Sequence, residues 1–430
     1  MSRQEPTTRS IHDAGAPATG SVQSAQPLPA AKIYSADLVQ RLLDRAAYFN
    51  LYSSPEPRDR ADSDAGTSVI RNAQQTIGFR LRERLRRFEI VMQVPTKGRA
   101  LSASNIIGEQ LGAFDSRWLL CPDDFKALPG REPPATRLDS TRQQRFVMLD
   151  GDCKLGEDGD GFRGFGTGTT FRSADGTLLA SAVGNVLEGR GRLAGLAGIY
   201  TYCGSLDEGE GFQGSLMLRV MDPEEVIQTV GTLPTLDAGG WAEPGITYLM
   251  FRGQATESDK VAPLIGANGQ LQGLNVAQQL RLFLTDASAR GRGGLRSTSQ
   301  IGQVIGEIDA QIIFNPSAPG GGPLDPIPYT AYDEYKFTDS RGESVGSLFI
   351  DEGEGRTFNM PLAGAPGQPA IRFGGFGPIL RGSGSLVGAE GLMTDNSVVS
   401  FTPHVSASVY VIRVNDPEGK YRVGGSGRDC

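Results

Sequence analysis

The sequence predicts an all-β protein in which one domain occurs twice in tandem. Three observations lead to this prediction. Short apolar runs bounded by turn residues recur along the chain, glycine makes up 58 of the 430 residues, and one Gly-spaced phrase is present in two copies. Short strands at regular spacing are typical of a β-sandwich or a β-barrel, and abundant glycine suits the turns, bulges and corners of either architecture.

The repeated phrase reads GNVLEGRGRLAGLAGIYT at 184–201 and GPILRGSGSLVGAEGLMT at 377–394. Five Gly, two Leu and one Thr coincide without a gap at an offset of 193, the difference between 377 and 184. Further along, RVMDPE at 219–224 and RVNDPE at 413–418 correspond at an offset of 194, the difference between 413 and 219. A period of this length is too long for a solenoid, so each copy is predicted to be a domain.

Upstream of the phrase, LGEDGDGF at 155–162 also matches FIDEGEGR at 349–356 at an offset of 194. The acidic phrase DEGEG occurs at 207–211 and at 351–355, out of register with the duplication. Both copies are therefore interpreted as turns. Their clustered oxygen ligands leave calcium binding open, although the spacing of an EF-hand loop is missing.

Composition and repeat together divide the chain into segments. The start of the chain is polar and rich in Pro, Ala and Ser, and TLPTLDAGGWAEPG forms a Pro- and Gly-rich connection between the copies. The predicted segments are a disordered tail at 1–31, a first β-domain with an N-terminal helix at 32–235, a second β-domain at 236–422, and a flexible tail at 423–430.

The helix is predicted in YSADLVQRLLDRAAYFN at 34–50, where Ser35 is a suitable N-cap and apolar residues follow at helical spacing. The strands SLMLRVM and SVYVIRV each end before an Asp-Pro pair, because proline cannot continue a strand ladder. TYLMFRG, LRLFLTD and QIIFN are further strands bounded by Gly, Asn or Asp.

Charge and cysteine usage restrict the partners and the compartment. The net charge of −7 and the pI near 5.2 argue against a nucleic-acid partner. No apolar run approaches the roughly 20 residues of a membrane helix, and the N-terminus lacks the apolar core of a signal peptide. The four cysteines form no CxxC pair, so a cytoplasmic location is expected. A homo-oligomer is compatible with these features.

Several kinds of chemistry are excluded by residue count and motif. The chain has two histidines, His12 in the predicted tail and His404, which argues against histidine-rich metal sites. No phosphate-binding GxxxxGK(S/T) loop occurs. The sequence therefore predicts neither a metal nor a cofactor.

The repeated phrase resembles a segment of the dirigent proteins and allene oxide cyclases. GRGRLAGLAG and GSGSLVGAEG follow that segment, G-x-G-x-(Phe/Leu)-x-G-x-x-G, and the resemblance covers about 40 residues in each copy. It implies that each domain is an eight-stranded antiparallel β-barrel, in which Leu193 and Leu386 fill the wall. The resulting expectation is two tandem barrels.

The same resemblance implies a function. Dirigent proteins and allene oxide cyclases fold a reactive, flexible molecule in a barrel so that it closes stereoselectively, which mainly requires shape and a few polar groups. The first hypothesis is a cofactor-independent cyclase or isomerase for a hydrophobic small molecule, in natural-product biosynthesis. The alternatives are a non-catalytic binding or carrier protein and a purely structural pair of barrels.

Candidate site residues follow from alternation along strands. In IYTYCGS, Tyr200 and Tyr202 share one face, and Thr201 and Cys203 share the other. Tyrosine suits a cavity that shapes a ligand and polarises one oxygen. The predicted catalytic residues are Tyr202, Arg219, Asp150 and Asp152, and the predicted ligand-binding residues are Tyr200, Cys203, Tyr335, Glu334, His404 and Arg413.

The first barrel is the predicted site, because Met393 replaces Tyr200 in the second copy. Structural explanations stand beside each candidate. The arginines could form surface ion pairs with the Asp-Pro carboxylates, and the two aspartates could belong to a turn.

Overall fold

The computed structural model describes residues 34–56, 68–71, 77–99, 101–121, 139–156, 158–173, 176–207, 211–229, 243–255, 261–289, 294–314 and 327–423. The predicted tail at 1–31, most of the connection between the copies, and the predicted tail at 423–430 beyond Val423 lie outside these residues. The described residues belong to one compact unit, Ile33–Cys430.

The first copy folds into nine antiparallel strands. Their bounds are β1 (Ala46–Pro55), β2 (Ser68–Arg71), β3 (Ile77–Met92), β4 (Ala103–Cys121), β5 (Asp139–Leu155), β6 (Asp160–Arg172), β7 (Leu178–Arg190), β8 (Gly198–Asp207) and β9 (Gly211–Met221). The order is β1-β9-β8-β7-β6-β5-β4-β3-β2, and β1 also pairs with β3. This second pairing closes eight of the strands into a barrel.

The second copy repeats this arrangement strand for strand. Its strands are β10 (Ile246–Gln254), β11 (Val261–Ile265), β12 (Leu271–Ser288), β13 (Arg296–Phe314), β14 (Ile327–Thr338), β15 (Ser344–Pro361), β16 (Pro369–Gly382), β17 (Gly391–Phe401) and β18 (His404–Asn415). Here β10 pairs with both β18 and β12. The all-β prediction is confirmed, with two barrels rather than sandwiches. Both lie within the predicted ranges 32–235 and 236–422, whose boundaries stay predictions.

The predicted helix is shorter than its sequence pattern. Helix α1 spans Ala36–Asp44, and the Ser35 hydroxyl accepts a hydrogen bond from the amide of Leu38 at 3.4 Å, as predicted for an N-cap. The following AAYFN is the start of β1, because Ala46 and its neighbours pair with the end of β9. Tertiary pairing thus overrides helical spacing here. No helix among the described residues has the length and apolar character needed to cross a membrane.

The Gly-spaced phrase forms the same turn in both barrels. Each copy contains the end of one strand, a single 3₁₀ turn and the start of the next strand, with Gly191 and Gly384 opening the turn. Their φ angles are 60° and 58°, in the left-handed region that favours glycine. Leu193 and Leu386, at the ends of these turns, are fully buried. The repeated phrase therefore specifies the same left-handed turn once in each copy of the duplicated domain.

The upstream part of the predicted alignment is wrong. Residues 155–162 contain the turn between β5 and β6, whereas residues 349–356 lie inside β15. The register of β15 shifts between Ile350 and Glu354, which marks a bulge. The copy of DEGEG at 351–355 is therefore a bulge and not a turn, and the offset of 194 does not extend this far back.

The two barrels bind each other through reciprocal contacts. The side-chain amide of Asn105 donates to the carbonyl of Tyr248 at 2.8 Å and accepts from its amide at 2.7 Å. In the opposite direction, the Ser297 hydroxyl donates to the carbonyl of Tyr48 at 2.6 Å and accepts from its amide at 3.0 Å. Tyr48 and Tyr248 pair with Arg219 and Arg413, which correspond in the repeat. A side chain of β4 therefore forms hydrogen bonds to β10 of the other barrel, and a side chain of β13 does the same to β1.

The chain segments after β9 and β18 also cross to the opposite barrel. Ser297 exchanges backbone hydrogen bonds with residues 227 and 229, and Ala103 does the same with residues 421 and 423, at 2.9–3.2 Å. Each of these positions differs from its counterpart by 194, for example 421 minus 227. The repeat is thus reflected in a pseudo-twofold arrangement of the two barrels.

The repeated Asp-Pro pairs hold these crossing segments in place. The Asp222 carboxylate accepts hydrogen bonds from the amides of Ile227 and Gln228 at 2.7 and 2.8 Å. The Asp416 carboxylate accepts from the amide of Tyr421 at 3.0 Å. Both aspartates are buried. A carboxylate that satisfies several backbone donors explains why this residue recurs in both copies.

Candidate active site

Three carboxyl groups lie inside the second barrel. Asp333 on β14, Glu352 in the bulge of β15 and Asp395 on β17 are 2, 2 and 8% exposed. Asp333 shares the inward face of its strand with Tyr335, as alternation requires. Glu352 pairs with Ala331 and shares the buried face of β15 with Leu348 and Ile350, as alternation requires. Alternation on three strands therefore brings three acids together.

These acids line a cavity of about 30 Å³ in the second barrel. Two further tyrosines, Tyr329 and Tyr410, contribute to the lining, and the apolar part includes Phe373 and Phe401. The ring of Tyr329 packs edge-on against Phe373 at a centroid distance of 5.4 Å. A cavity of this volume admits only a small chemical group, so a larger ligand would insert one end.

The polar groups of the cavity differ in their hydrogen bonds. The Tyr335 hydroxyl donates to Asp333 Oδ2 at 3.2 Å, and the Ser397 hydroxyl donates to Asp395. By contrast, Asp333 Oδ1, Glu352 Oε1 and the Tyr329 hydroxyl make no hydrogen bond of good geometry to any described residue, although the Glu352 carboxyl interacts with both Tyr329 and Asp333. Buried polar atoms are normally satisfied, so these atoms can accept further donors from a ligand.

Burial shifts the protonation of the acids. Burial, and then the charge of a neighbouring carboxylate, raises the pKa of Asp333 and of Glu352 well above the ordinary range. Burial raises the pKa of Asp395 to about 7, against the opposing effects of the Ser397 hydrogen bond and the Arg219 charge. The cavity therefore holds protonated carboxyl groups near neutral pH, which can act as proton donors.

The interior of the first barrel is built differently. Tyr200 and Tyr202 both face inward, where Tyr200 packs against Phe114 and Phe162. The Tyr202 hydroxyl donates to the buried carboxylate of Glu83 and lies 3.0 Å from the Ser53 hydroxyl. Burial raises the pKa of Glu83 to about 8. This interior combines one acid with aromatic packing, and the roles predicted for both tyrosines stay predictions.

Other predicted site residues lie on the outer faces of the barrels. Asp150 accepts a hydrogen bond from Arg163 at 2.9 Å, and Asp152 pairs with Arg190; both carboxylates are partly exposed. Cys203 is on the opposite face of β8 from Tyr202, with its sulfur 3.7 Å from the carbonyl of Leu392. Cys153 and Cys203 are both buried and free, whereas the side chain of Cys121 and the whole of Cys430 are outside the described residues.

The equivalent arginines lie between the barrels, not at a barrel mouth. Arg219 donates to the carbonyl of Ala407 and, at 3.1 Å, to that of Leu43. Arg413 pairs with the buried Glu243 at 3.3 Å. The surface ion pairs with Asp222 and Asp416 are therefore not formed, because both arginines point into the interface.

The predicted residues of the second copy fall into two groups. Tyr335 is fully buried and reaches the acid cluster through Asp333. Glu334 is on the opposite, outer face of β14. His404 begins β18, and its ring stacks on Phe401 at a centroid distance of 6.2 Å, beside the cavity lining.

Sequence reasoning missed the acids and two tyrosines of this cavity. Asp333 stands beside the predicted Glu334, and strand alternation from Tyr335 could have identified it. Glu352 was interpreted as part of a turn, and Asp395 had no motif around it. Among the described residues, no group of three His, Cys, Asp or Glu side chains is arranged to hold a metal ion.

Comparisons of the chain with protein-family models, with curated proteins and with solved structures give no match. Function therefore has to be inferred from the chemistry of the cavity.

Proposed function

We propose that the protein is a cofactor-independent cyclase or isomerase whose acid chemistry takes place in the second barrel. The observation that supports this most is the set of buried carboxyl groups with raised pKa around one small cavity. A neutral carboxylic acid in an apolar site is an effective proton donor. The resemblance of the Gly-spaced phrase to the cyclase and dirigent families supports the same reaction class.

The protonation of the acids suggests distinct roles for two of them. Burial raises the pKa of Glu352 well above its ordinary range, so it is protonated near pH 7, whereas the pKa of Asp395 is raised to about 7 and leaves this group partly ionised. Glu352 would donate a proton to an epoxide or carbonyl oxygen of the substrate as the new ring bond forms. Asp395 would accept a proton from carbon, and the product leaves as an isomer. Proton return from Asp395 to Glu352 completes the cycle without a redox partner.

The cavity volume restricts how a substrate binds. About 30 Å³ accommodates the reacting end, while the remaining hydrophobic chain would lie along the aromatic side chains Phe373 and Phe401. Fixing the reacting end in this way lowers the entropic part of the barrier. This mode of binding suits an elongated apolar molecule with one oxygen-bearing terminus.

The proposal is tested by incubating the full chain with a panel of unsaturated epoxides and separating products by chiral chromatography and mass. Glu352→Gln should lower turnover by about 100-fold or more, since it removes the proton donor. Glu83→Gln makes the same change inside the first barrel and should leave turnover unchanged. Recovery of bound but unaltered ligand would support a carrier instead. Loss of turnover in Glu83→Gln alone would move the site to the first barrel.

A further inference from the structure

The cavity of the second barrel is lined by acids and, among the described residues, by no basic side chain, although the charge of Arg219 in the first barrel acts on Asp395. Asp333, Glu352 and Asp395 line it, and no Lys, Arg or His is among the described lining residues. An ionised carboxylate in such a place is unfavourable, because it is neither solvated nor paired. A ligand that brings its own positive charge would remove this penalty.

The unsatisfied oxygens match the donors of an ammonium group. Asp333 Oδ1, Glu352 Oε1 and the Tyr329 hydroxyl are buried at the cavity and make no hydrogen bond of good geometry to a described residue, their contacts being with one another through the Glu352 carboxyl. All three residues are at most 3% exposed. A primary ammonium carries three N–H donors, and charge-assisted hydrogen bonds are the stronger kind.

The apolar part of the cavity favours the same ligand. Tyr329, Phe373 and Phe401 form a chain of edge-on rings with centroid distances of 5.4 and 6.1 Å. Aromatic faces attract cations and accommodate an attached hydrocarbon. We propose that the second barrel binds the protonated amino end of a hydrophobic amine. The amine would occupy the same acids as the substrate of the proposed function and compete with it, and its binding does not depend on turnover.

Charged neighbours set the pH dependence of this binding. The acids face one another and Asp351, whose charges oppose further ionisation, whereas hydrogen bonds from Tyr335 to Asp333 and from Tyr329 to Glu352 favour it. The hydroxyl of Tyr410 also faces these acids. The Arg219 charge acts on Asp395 from the first barrel, and His404 stacks on Phe401 at the edge of the lining. As pH rises, the carboxyls lose protons while an alkylammonium stays charged. The alkylammonium should therefore bind more tightly as pH rises, and its binding should release protons from the carboxyl groups.

Titration calorimetry on the full chain tests the proposal with benzylammonium and its neutral analogue benzyl alcohol. Benzylammonium should bind more tightly than the alcohol, with affinity rising between about pH 6 and about pH 8. Glu352→Gln should weaken it by about tenfold, the loss of one charge-assisted hydrogen bond. Glu83→Gln should have no effect. Asp333→Asn provides a second test if Glu352→Gln does not fold.

The outcomes separate this proposal from the proposed function. Equal affinity for the alcohol and the ammonium, or unchanged ammonium affinity in both acid variants, would overturn ammonium binding. Turnover of neutral epoxides without ammonium binding would overturn this proposal and support the cyclase. Ammonium binding without turnover of any amine or epoxide would support the ligand class and contradict the cyclase.

Discussion

At the scale of single residues, Asp395 links the cavity to the stability of the protein. Burial raises its pKa to about 7, so the native state binds a proton more tightly than the unfolded chain. Stability associated with this group is therefore present at low pH and is lost as pH rises from about 4 through about 7. The same sign applies to Asp333 and Glu352, whose pKa values burial also raises.

Asp395→Asn should remove this pH dependence. We expect the variant to lose less stability than the parent between about pH 5 and about pH 8, by on the order of a few kcal/mol. Urea unfolding at both pH values measures the effect, with Asp150→Asn on the outer surface as control. A parallel decline in the parent and in Asp395→Asn would contradict a protonated Asp395.

Glu83 allows an independent test in the first barrel. Burial raises its pKa to about 8, so its contribution to stability falls as pH rises toward that value. Ser54 pairs with Arg84 in the first barrel, and Gln254 pairs with Gln279 at the equivalent place in the second. Glu83, which precedes Arg84, therefore corresponds to Gln278, so the second barrel has no acid at this position.

Glu83→Gln should therefore stabilise the protein above about pH 8 and have little effect near pH 5, because glutamine still accepts from Tyr202 and never ionises. Thermal unfolding across this range provides the measurement. Equal destabilisation at both pH values would show that Glu83 is bound as a carboxylate.

At the scale of elements, the turn opened by Gly191 determines the path between β7 and β8. A Cβ on Gly191 would lie 2.1 Å from Asp160 Oδ1, which accepts the amide hydrogen of Arg192 at 2.7 Å. Gly195 also has a positive φ, of 76°, but no atom lies within 4 Å of its Cβ position. An alanine at position 195 would therefore meet only the backbone strain of a positive φ, whereas an alanine at position 191 would also meet a steric contact.

Gly191→Ala should destabilise the protein more than Gly195→Ala. The second change should cost about 1 kcal/mol for the left-handed backbone alone, and the first should add the displacement of Asp160. Denaturant unfolding of both variants measures the difference. Similar losses would indicate that Asp160 moves without penalty.

Strands and turns could be predicted where the sequence pattern that indicates them is local and occurs in both copies. Strands such as β9 and β18 are apolar runs stopped by proline, and the 193-residue offset identified Gly191 and Gly384 as equivalent. The end of α1 was not predictable from spacing, since Ala46 joins a strand whose partner is distant in sequence. The bulge at Glu352 was missed for the same reason, because register depends on both neighbouring strands.

At the scale of the whole molecule, the contacts between barrels make the two copies interdependent. Asn105 satisfies both backbone groups of the buried Tyr248, and Ser297 does so for Tyr48. Alternation along β8 predicted which side chains share a face of the strand. The sequence did not predict that the outer face of β8 packs against the second barrel. Cys203, Arg219 and Arg413 were therefore interpreted as site residues, although they lie in this interface.

Asn105→Ala should destabilise the protein by about 2–3 kcal/mol, since it leaves a buried donor and acceptor of Tyr248 unsatisfied. Asn275→Ala, on the exposed face of β12, should change stability by less than about 0.5 kcal/mol. Unfolding followed by tryptophan fluorescence and by circular dichroism should remain a single transition in the parent. A neutral Asn105→Ala would contradict the interdependence of the barrels.

Both proposals depend on one claim, that the second barrel holds protonated carboxyl groups around its cavity. Carbon-13 NMR of labelled Asp and Glu side chains in the full chain measures this directly, with resonances assigned through Asp333→Asn, Glu352→Gln and Asp395→Asn. Near pH 7, we expect Asp395 to be in mid-titration and Glu352 to be protonated. Complete ionisation of all three carboxyls by about pH 6 would contradict the claim.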